Sequence, residues 1–241
     1  MNTTCKLRYL AIPVLAIGLL GCSVRPRLPA PTAPAAPLPS PPAAGARAYT
    51  IVSSESLLTI LVFRGGLLAG AGHNHVIASH SLTGTIEVPR DPLRATFEVH
   101  MPLGELTIDE PTLRAAQHRE DFPPEVPESA RQGTRTNMLS AALLDAAHWP
   151  EIVLRSARLE PQGSSEVLAS VQVTVRGEQH QIKVPIRYEL QGEQLTVSGA
   201  FPLKQSELGL TPYSALMGAL TVQDEMHVQF QLRAHTASAP N

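Results

Sequence analysis

The stretch VQVTVRGEQHQIKVPIRYEL, residues 171–190, decides the fold of this chain. Apolar side chains recur at every second position before and after Gly177, as in Val171, Val173 and Val175. Because successive side chains of a β-strand point to opposite faces, a period of two predicts two strands that each bury one face. A glycine between two such runs suits the short turn of a hairpin. We therefore predict an antiparallel hairpin over these residues.

The same alternation recurs along the rest of the chain. It extends over residues 97–103, 195–203 and 226–232, and Gly192 supplies a second hairpin turn. Strands that carry one apolar face must bury it, either by packing two sheets together or by closing into a barrel, which also removes exposed edges. The folded part, about 190 residues, is long enough for one domain with a sizeable core. The sequence therefore predicts a mainly β, antiparallel domain.

A helical insertion interrupts the strands. Residues 109–145 lack the period of two, and Pro111 suits the first turn of a helix. Pro123 ends that helix, residues 128–139 predict a second one, and residues 141–144 predict a third, shorter piece. We expect about five strands, then this insertion over one end or side of the β-domain, then about five further strands.

Six motifs follow one another along the folded part. They are YTI at 49–51, NMLS at 137–140, LLD at 143–145, HWPEI at 148–152, ASVQVTVRG at 169–177 and FPLKQSELGL at 201–210. Their order and spacing resemble the YceI-like family over nearly the whole folded part. The resemblance implies an antiparallel, lipocalin-like barrel with a helical insertion between strands, secreted to the periplasm, that holds a long polyisoprenoid chain in its lumen. It implies no catalytic residues, and no cofactor other than a bound isoprenoid lipid.

Two features depart from the family pattern. Leu143 and Leu144 stand where an aromatic pair is common in the family. The stretch GHNH at residues 72–75 belongs to only some members. Both departures bear on which lipid the barrel would bind.

Candidate ligand-binding residues follow from the apolar side of each strand. The interior of a barrel of about eight strands is wide enough for side chains or for one slender ligand. The apolar positions of the alternating runs should face that interior, and we predict that eleven of them contact the lipid. They are Phe97, Val99, Met101, Val171, Val173, Ile182, Val184, Ile186, Tyr188, Phe201 and Phe230.

The N-terminal segment predicts where the protein works. Basic residues precede an apolar run, Leu10–Leu20, that is short for a membrane span, and LLGC at residues 19–22 resembles a bacterial lipobox. We therefore predict that residues 1–21 are a lipoprotein signal peptide and that Cys22 is lipidated. The alternative is an ordinary signal peptide with an incidental cysteine. Ser23 resembles the residue that follows the cysteine in outer-membrane lipoproteins, so we expect this location, on the periplasmic side of a bacterial cell envelope.

A proline-rich segment separates this anchor from the folded domain. Prolines recur from Pro26 to Pro42 among alanine and serine, a composition that favours extended polyproline II and cannot bury a core. We interpret residues 22–47 as a lipidated N-terminus and a spacer; the alternative is a motif that a partner recognises. Residues 48–237 then form the barrel domain, and residues 238–241 form a C-terminal tail. The lipid anchor is the expected contact with the membrane, and no protein partner is predicted.

Charge and composition exclude several classes of function. The net charge is −2 with no basic stripe, so nucleic acid is not an expected partner. No Gly-x-Ser-x-Gly motif and no glycine-rich phosphate loop occurs, and we predict that the protein is not an enzyme. The acidic residues of the insertion, Asp109, Glu110, Glu120 and Asp121, are interpreted as helix-end charges rather than a catalytic carboxylate pair.

Lipid binding is the predicted function. A lipid that leaves a bilayer for the barrel moves between two apolar environments, so its net driving force is small and its binding reversible. This balance suits a carrier or scavenger tethered near a membrane. A barrel filled by its own side chains would instead be a purely structural lipoprotein.

His73 and His75 offer an alternative function, a metal-binding or redox-linked module. Residues two apart share one face of a strand, so both imidazoles could bind one metal, with His80 or His100 as a further ligand. Two hydrogen-bonded histidines beside a glycine-rich turn are the simpler interpretation, and we favour no metal. The string His-Asn-His is not read as a nuclease motif, because the histidines of that motif lie far apart in sequence.

Overall fold

The structure, a computed structural model, describes residues 45–236. Within them the chain forms β1 (Arg47–Ile51), β2 (Leu57–Gly65), β3 (His75–Ser79), β4 (Thr83–Val88), β5 (Thr96–Pro102), β6 (Thr107–Ile108), β7 (Glu151–Pro161), β8 (Glu166–Val175), β9 (Glu178–Gln191), β10 (Gln194–Lys204), β11 (Ser214–Ala215) and β12 (Leu220–Thr236). The helices are α1 (Pro111–Ala115) and α2 (Glu128–Leu139). The predicted signal peptide, Cys22, nearly all of the spacer and the C-terminal tail lie outside the described residues.

Eight of these strands close into an antiparallel barrel. They pair in the order β1-β4-β5-β7-β8-β9-β10-β12. The last strand returns to the first, with Tyr49 opposite Thr236 and Ile51 opposite Ala234. Strands with one apolar face can bury it in two packed sheets or in a closed barrel, and this chain forms the closed barrel. The predicted mainly β, lipocalin-like fold is therefore confirmed.

Three further strands extend the wall at one end of the barrel. The last residues of β12 pair with β1, whereas residues 221–231 pair with β2 on the same edge. β3 then pairs with β2, and β6 pairs with β3. We call the end at which β12 begins the upper end and the end at which it finishes the lower end. The β9–β10 turn lies at the lower end, beside the close of β12.

The period of two in the sequence sets the inside and the outside of the barrel. Inward side chains such as Val171, Val184 and Val228 belong to one buried apolar core. β9 and β10 pair only from Arg187 to Gln191 on the β9 side. Pro185, which has no N–H to donate, marks the point where the two strands separate.

The helical insertion lies at the upper end, between β6 and β7. It contains two helices as predicted, and Pro111 occupies the first turn of α1. The predicted end of the first helix at Pro123 is wrong, because α1 ends at Ala115 and residues 116–122 form turns and irregular backbone instead. Residues 141–144 form turns instead of a third helical piece, and six strands rather than about five lie on each side. Phe122 of the insertion packs with Leu61 and Val76 in a second, smaller core outside the barrel. Among the described residues, no helix is both long and apolar enough to cross a membrane.

The turn between β8 and β9 fixes the rim of the upper end. Gly177 has a φ of +75°, the left-handed conformation that glycine adopts at little cost. The ring of Trp149 lies directly over it, and an added side-chain carbon at Gly177 would be 2.5 Å from that ring. Trp149 therefore packs on the rim of the barrel.

Candidate functional site

The lumen of the barrel contains an apolar cavity of about 200 Å³. Leucine, valine and isoleucine side chains from the strands form most of its wall, and no polar atom faces it. A space lined in this way favours an apolar occupant over water, because water would find no hydrogen-bond partner there. The arrangement can therefore hold a hydrocarbon chain.

All eleven residues predicted to contact a lipid lie on this wall. They are Phe97, Val99, Met101, Val171, Val173, Ile182, Val184, Ile186, Tyr188, Phe201 and Phe230. The alternation of apolar and polar residues along each strand determines that these side chains point inward. Contact of these side chains with a bound lipid stays a prediction.

A second cavity, which we call the upper chamber, lies above the lumen and measures about 290 Å³. It shares five lining residues with the lumen, namely Ile60, Met101, Ile152, Leu208 and Met226. These side chains border both spaces, and we call them the constriction. Two of them are methionines, whose unbranched side chains adopt many shapes at low cost. Together the cavities enclose about 490 Å³, within the range of ligand sites.

Polar groups enter the wall only in the upper chamber. His73 and His75 come from the segment that leads into β3, and Thr134 and Asn137 come from the inner face of α2. The ring centroids of the two histidines are 6.1 Å apart. The two adjoining spaces therefore comprise an apolar lower part and an upper part that can form hydrogen bonds.

A buried chain of hydrogen bonds stands behind this wall. The Nδ1 atom of His75 lies 2.5 Å from Oδ2 of Asp109, and its Nε2 atom lies 3.0 Å from the hydroxyl of Thr134. The other carboxylate oxygen of Asp109 accepts from the Arg114 guanidinium at 2.5 Å and from the Val76 N–H at 2.9 Å. Asp109 and Arg114 are almost fully buried. The cluster thus holds the imidazole of His75 in one orientation.

The charges of this cluster determine its protonation. Burial alone would raise the pKa of Asp109, but hydrogen bonds from His75, the Val76 N–H and Arg114 outweigh it, and the pKa lies below its ordinary value. Burial lowers the pKa of His73, and the nearby His75 and Arg114 lower it further. Asp109 is therefore an anion and His73 a neutral imidazole at neutral pH.

The sequence profile of the YceI-like domain matches residues 49–234. The chain belongs to the YceI-like family. No curated protein matches it. This YceI-like barrel is similar in fold to BcnA of Burkholderia cenocepacia, with a TM-score of 0.55 and 13% identity over 76% of this chain and 98% of that one. It is also similar to a polyisoprenoid binding domain from Saccharophagus degradans implicated in plant cell wall breakdown, with a TM-score of 0.52 and 11% identity over 79% and 99% of the two chains.

The geometry of this YceI-like chain does not favour the metal alternative. Both ring nitrogens of His75 already have partners. His80 pairs with Glu110, and His100 pairs with Glu98 and Glu151, so neither histidine joins the chamber. Within residues 45–236 no group of three or more histidine, cysteine or acidic side chains could hold a metal ion.

The interpretation of Asp109 as a helix-end charge is wrong, because its carboxylate is buried and paired. Arg114 and Thr134 were not singled out from the sequence either. The residues of the cluster meet across separations of up to 59 positions, which no local pattern reveals. Asp109 also has a φ of +56°, a conformation that aspartate is one of the few residues to tolerate, but this backbone geometry between β6 and α1 is not visible in the sequence.

Proposed function

We propose that this YceI-like protein is a carrier or scavenger for one long polyisoprenoid-type lipid and is tethered to the periplasmic side of the outer membrane. The observation that carries the proposal is the lumen, a space to which the wall presents no polar atom. The similar domain from Saccharophagus degradans is described as polyisoprenoid binding, which supports the choice of ligand class. A slender, flexible and apolar chain suits such a space.

The two cavities suggest an orientation for the ligand. The lower lumen can accept only hydrocarbon, whereas the upper chamber offers the imidazole of His73 and the amide of Asn137. We propose that the tail crosses the constriction at Met101 and Met226 and that a small polar head stays in the upper chamber. Head groups that accept or donate hydrogen bonds are then preferred over hydrocarbon ends.

The same features favour binding over catalysis. A wall without polar atoms holds neither a nucleophile nor a general base next to the tail. Behind the wall of the upper chamber, the carboxylate of Asp109 is shared between His75, Arg114 and a backbone N–H. These contacts fix the fold around the head group, so we propose that the protein releases its lipid unchanged.

Organic extraction tests the proposed function. We expect that protein purified from its native envelope yields a prenyl-tailed lipid in near one-to-one amount by mass spectrometry. The same extraction from the Val173→Phe variant described below provides the matched control. Repeated recovery of empty wild-type protein would contradict the proposal, and so would a cargo without a long apolar chain.

The location depends on Cys22, which lies outside the described residues. We expect incorporation of labelled palmitate into the wild-type chain and its complete loss in Cys22→Ser, which should accumulate as a precursor that keeps residues 1–21. Cys5→Ser is the control, because Cys5 leaves with the signal peptide and the variant should be labelled normally. Labelling of Cys22→Ser would refute the tether without affecting the lipid-binding proposal.

A further inference from the structure

Two neighbouring loops at the upper end expose large apolar side chains. Leu67 and Leu68 follow β2 and are 96% and 47% exposed, and Leu216 and Met217 precede β12 and are 64% and 106% exposed. We call these four residues the apolar tip. The loops are joined, because the Leu68 N–H donates to the Ala219 carbonyl at 2.7 Å. Neighbouring exposed apolar side chains that form one patch mark a contact site, whereas single exposed apolar residues are common on any surface.

The fold holds the tip in a specific and costly conformation. Leu216 and Met217 have φ values of +51° and +55°, a left-handed backbone that costs residues other than glycine about 1–3 kcal/mol at strained sites. Gly66, with a φ of +83°, lies so close to Ala219 that an added side-chain carbon would be 2.5 Å from its carbonyl oxygen. The strain lies in the loop that carries Leu216 and Met217, and its joining to the loop of Leu67 and Leu68 argues that the exposed side chains have a use.

We propose that the apolar tip inserts into the lipid headgroup region of a bilayer and holds the upper chamber against the membrane from which the ligand enters. Gly72, Tyr213 and Leu220 line the chamber and lie in the same two loop segments as the tip. Neither residues 65–72 nor residues 208–222 contain a charged residue. Tyr213, 39% exposed, is a type of side chain enriched at membrane interfaces.

A lipid surface explains the tip better than a protein partner does. A stable protein interface buries about 800 Å² on each partner, which four side chains cannot supply. Leucine and methionine side chains on loop segments that contain no charged residue need no matching partner to enter a bilayer interface. The tip also lies beside the upper chamber. Contact of the tip with the membrane would therefore let the ligand pass from the bilayer into the chamber across little water.

The chain length between the proposed anchor and the barrel permits this orientation. Arg47 leaves the barrel at the lower end, since β1 pairs with the last residues of β12. The 17 residues of β12 span at most about 55 Å. The 24 residues between Cys22 and Arg47 can extend over about 75 Å at the spacing of polyproline II. This step rests on the proposed lipidation of Cys22; the exposure and strain of the tip do not.

Site-specific fluorescence tests the insertion in the full chain. Met217→Cys, in a Cys5→Ser background, is labelled with an environment-sensitive dye and reconstituted into vesicles of phosphatidylethanolamine and phosphatidylglycerol. Glu193→Cys, exposed at the opposite end of the barrel, is the matched control. We expect blue-shifted emission and quenching by brominated lipids for the dye at 217 only. Equal exposure of both dyes to water, stronger quenching at 193, or burial at 217 that needs no vesicles and depends on protein concentration would each overturn the proposal.

A transfer assay separates the tip from the binding cavity. In Leu67→Gln/Met217→Gln, we expect prenyl-lipid transfer between vesicles to slow about tenfold, because two apolar side chains no longer enter the bilayer. The lipid content at equilibrium should stay as in the wild type, since neither residue lines a cavity. Leu93→Gln, at a 37% exposed leucine of the lower end, should transfer normally. Unchanged transfer in the double variant would refute the tip, whereas a wild type that binds no lipid would refute the proposed function and leave the fluorescence result to decide the tip.

Discussion

Asp109→Ala is expected to lower the free energy of unfolding by about 3–5 kcal/mol, as the removal of one partner from a buried ion pair does. The substitution leaves the guanidinium of Arg114, which is 1% exposed, without its carboxylate. It also removes the acceptor for Nδ1 of His75 and for the Val76 N–H. Each buried donor left without a partner adds its own desolvation cost. Urea denaturation followed by circular dichroism measures the change.

A matched control is an exposed ion pair on the same barrel. Arg187 and Glu166 pair across β8 and β9 with side chains 73% and 48% exposed. Because water screens this pair, Glu166→Ala should cost less than about 1 kcal/mol. If Asp109→Ala costs no more than this control, the buried cluster does not stabilise the upper end as described here.

The same denaturation measurement, repeated at acidic pH, reports the protonation of the Asp109 carboxylate. Its pKa in the folded protein is lower than in the unfolded chain, where it is about 3.9. The contribution of Asp109 to stability is therefore fully present above that unfolded value and is lost as the pH falls through the lower folded value. The wild type should lose stability more steeply than Asp109→Asn across this window. If the free energies of unfolding of the two proteins fall equally with decreasing pH, the pKa of Asp109 in the folded protein is not depressed.

Much of the barrel could be predicted because a strand imposes its geometry on the sequence. Apolar residues at every second position in β8 and β9 determine which side chains face inward. The inward orientation of Val173 or Ile186 can therefore be predicted without knowing which strands lie beside them. The ends of the strands were harder to predict. β12 runs from Leu220 to Thr236, beyond the alternating residues 226–232, because pairing with β1 and β2 extends it.

The upper chamber could not be predicted from local patterns. Its features depend on how the insertion folds back over the barrel, which brings Thr134 of α2 to His75 and Arg114 to Asp109. In the sequence these residues look like ordinary surface polar groups, since burial of a charge leaves no periodic signal. The exposed tip escaped prediction for the opposite reason, because Leu67 and Met217 stand in glycine- and alanine-containing segments that look like simple turns.

Val173→Phe should empty the barrel of lipid without unfolding it. Val173 lies on the lumen wall and is 3% exposed, so a phenyl ring there projects into the cavity that the tail would occupy. Overpacking a filled core costs about 1–3 kcal/mol, but part of this cost is absent where the ring enters empty space. We expect extracted lipid to fall at least about tenfold, equivalent to about 1.4 kcal/mol of binding free energy.

The neighbouring residue on the opposite face of β8 supplies the control for this substitution. Gln172 points outward and bonds to Gln179 across the β8–β9 hairpin, so Gln172→Phe adds the same ring without entering the lumen. It should retain wild-type lipid. Val228→Phe repeats the test from β12, on another part of the wall, in case Val173→Phe alone fails to fold. Folded lumen variants that carry as much lipid as Gln172→Phe would show that the tail does not lie in the barrel, because a ring and a hydrocarbon chain cannot share a cavity of about 200 Å³.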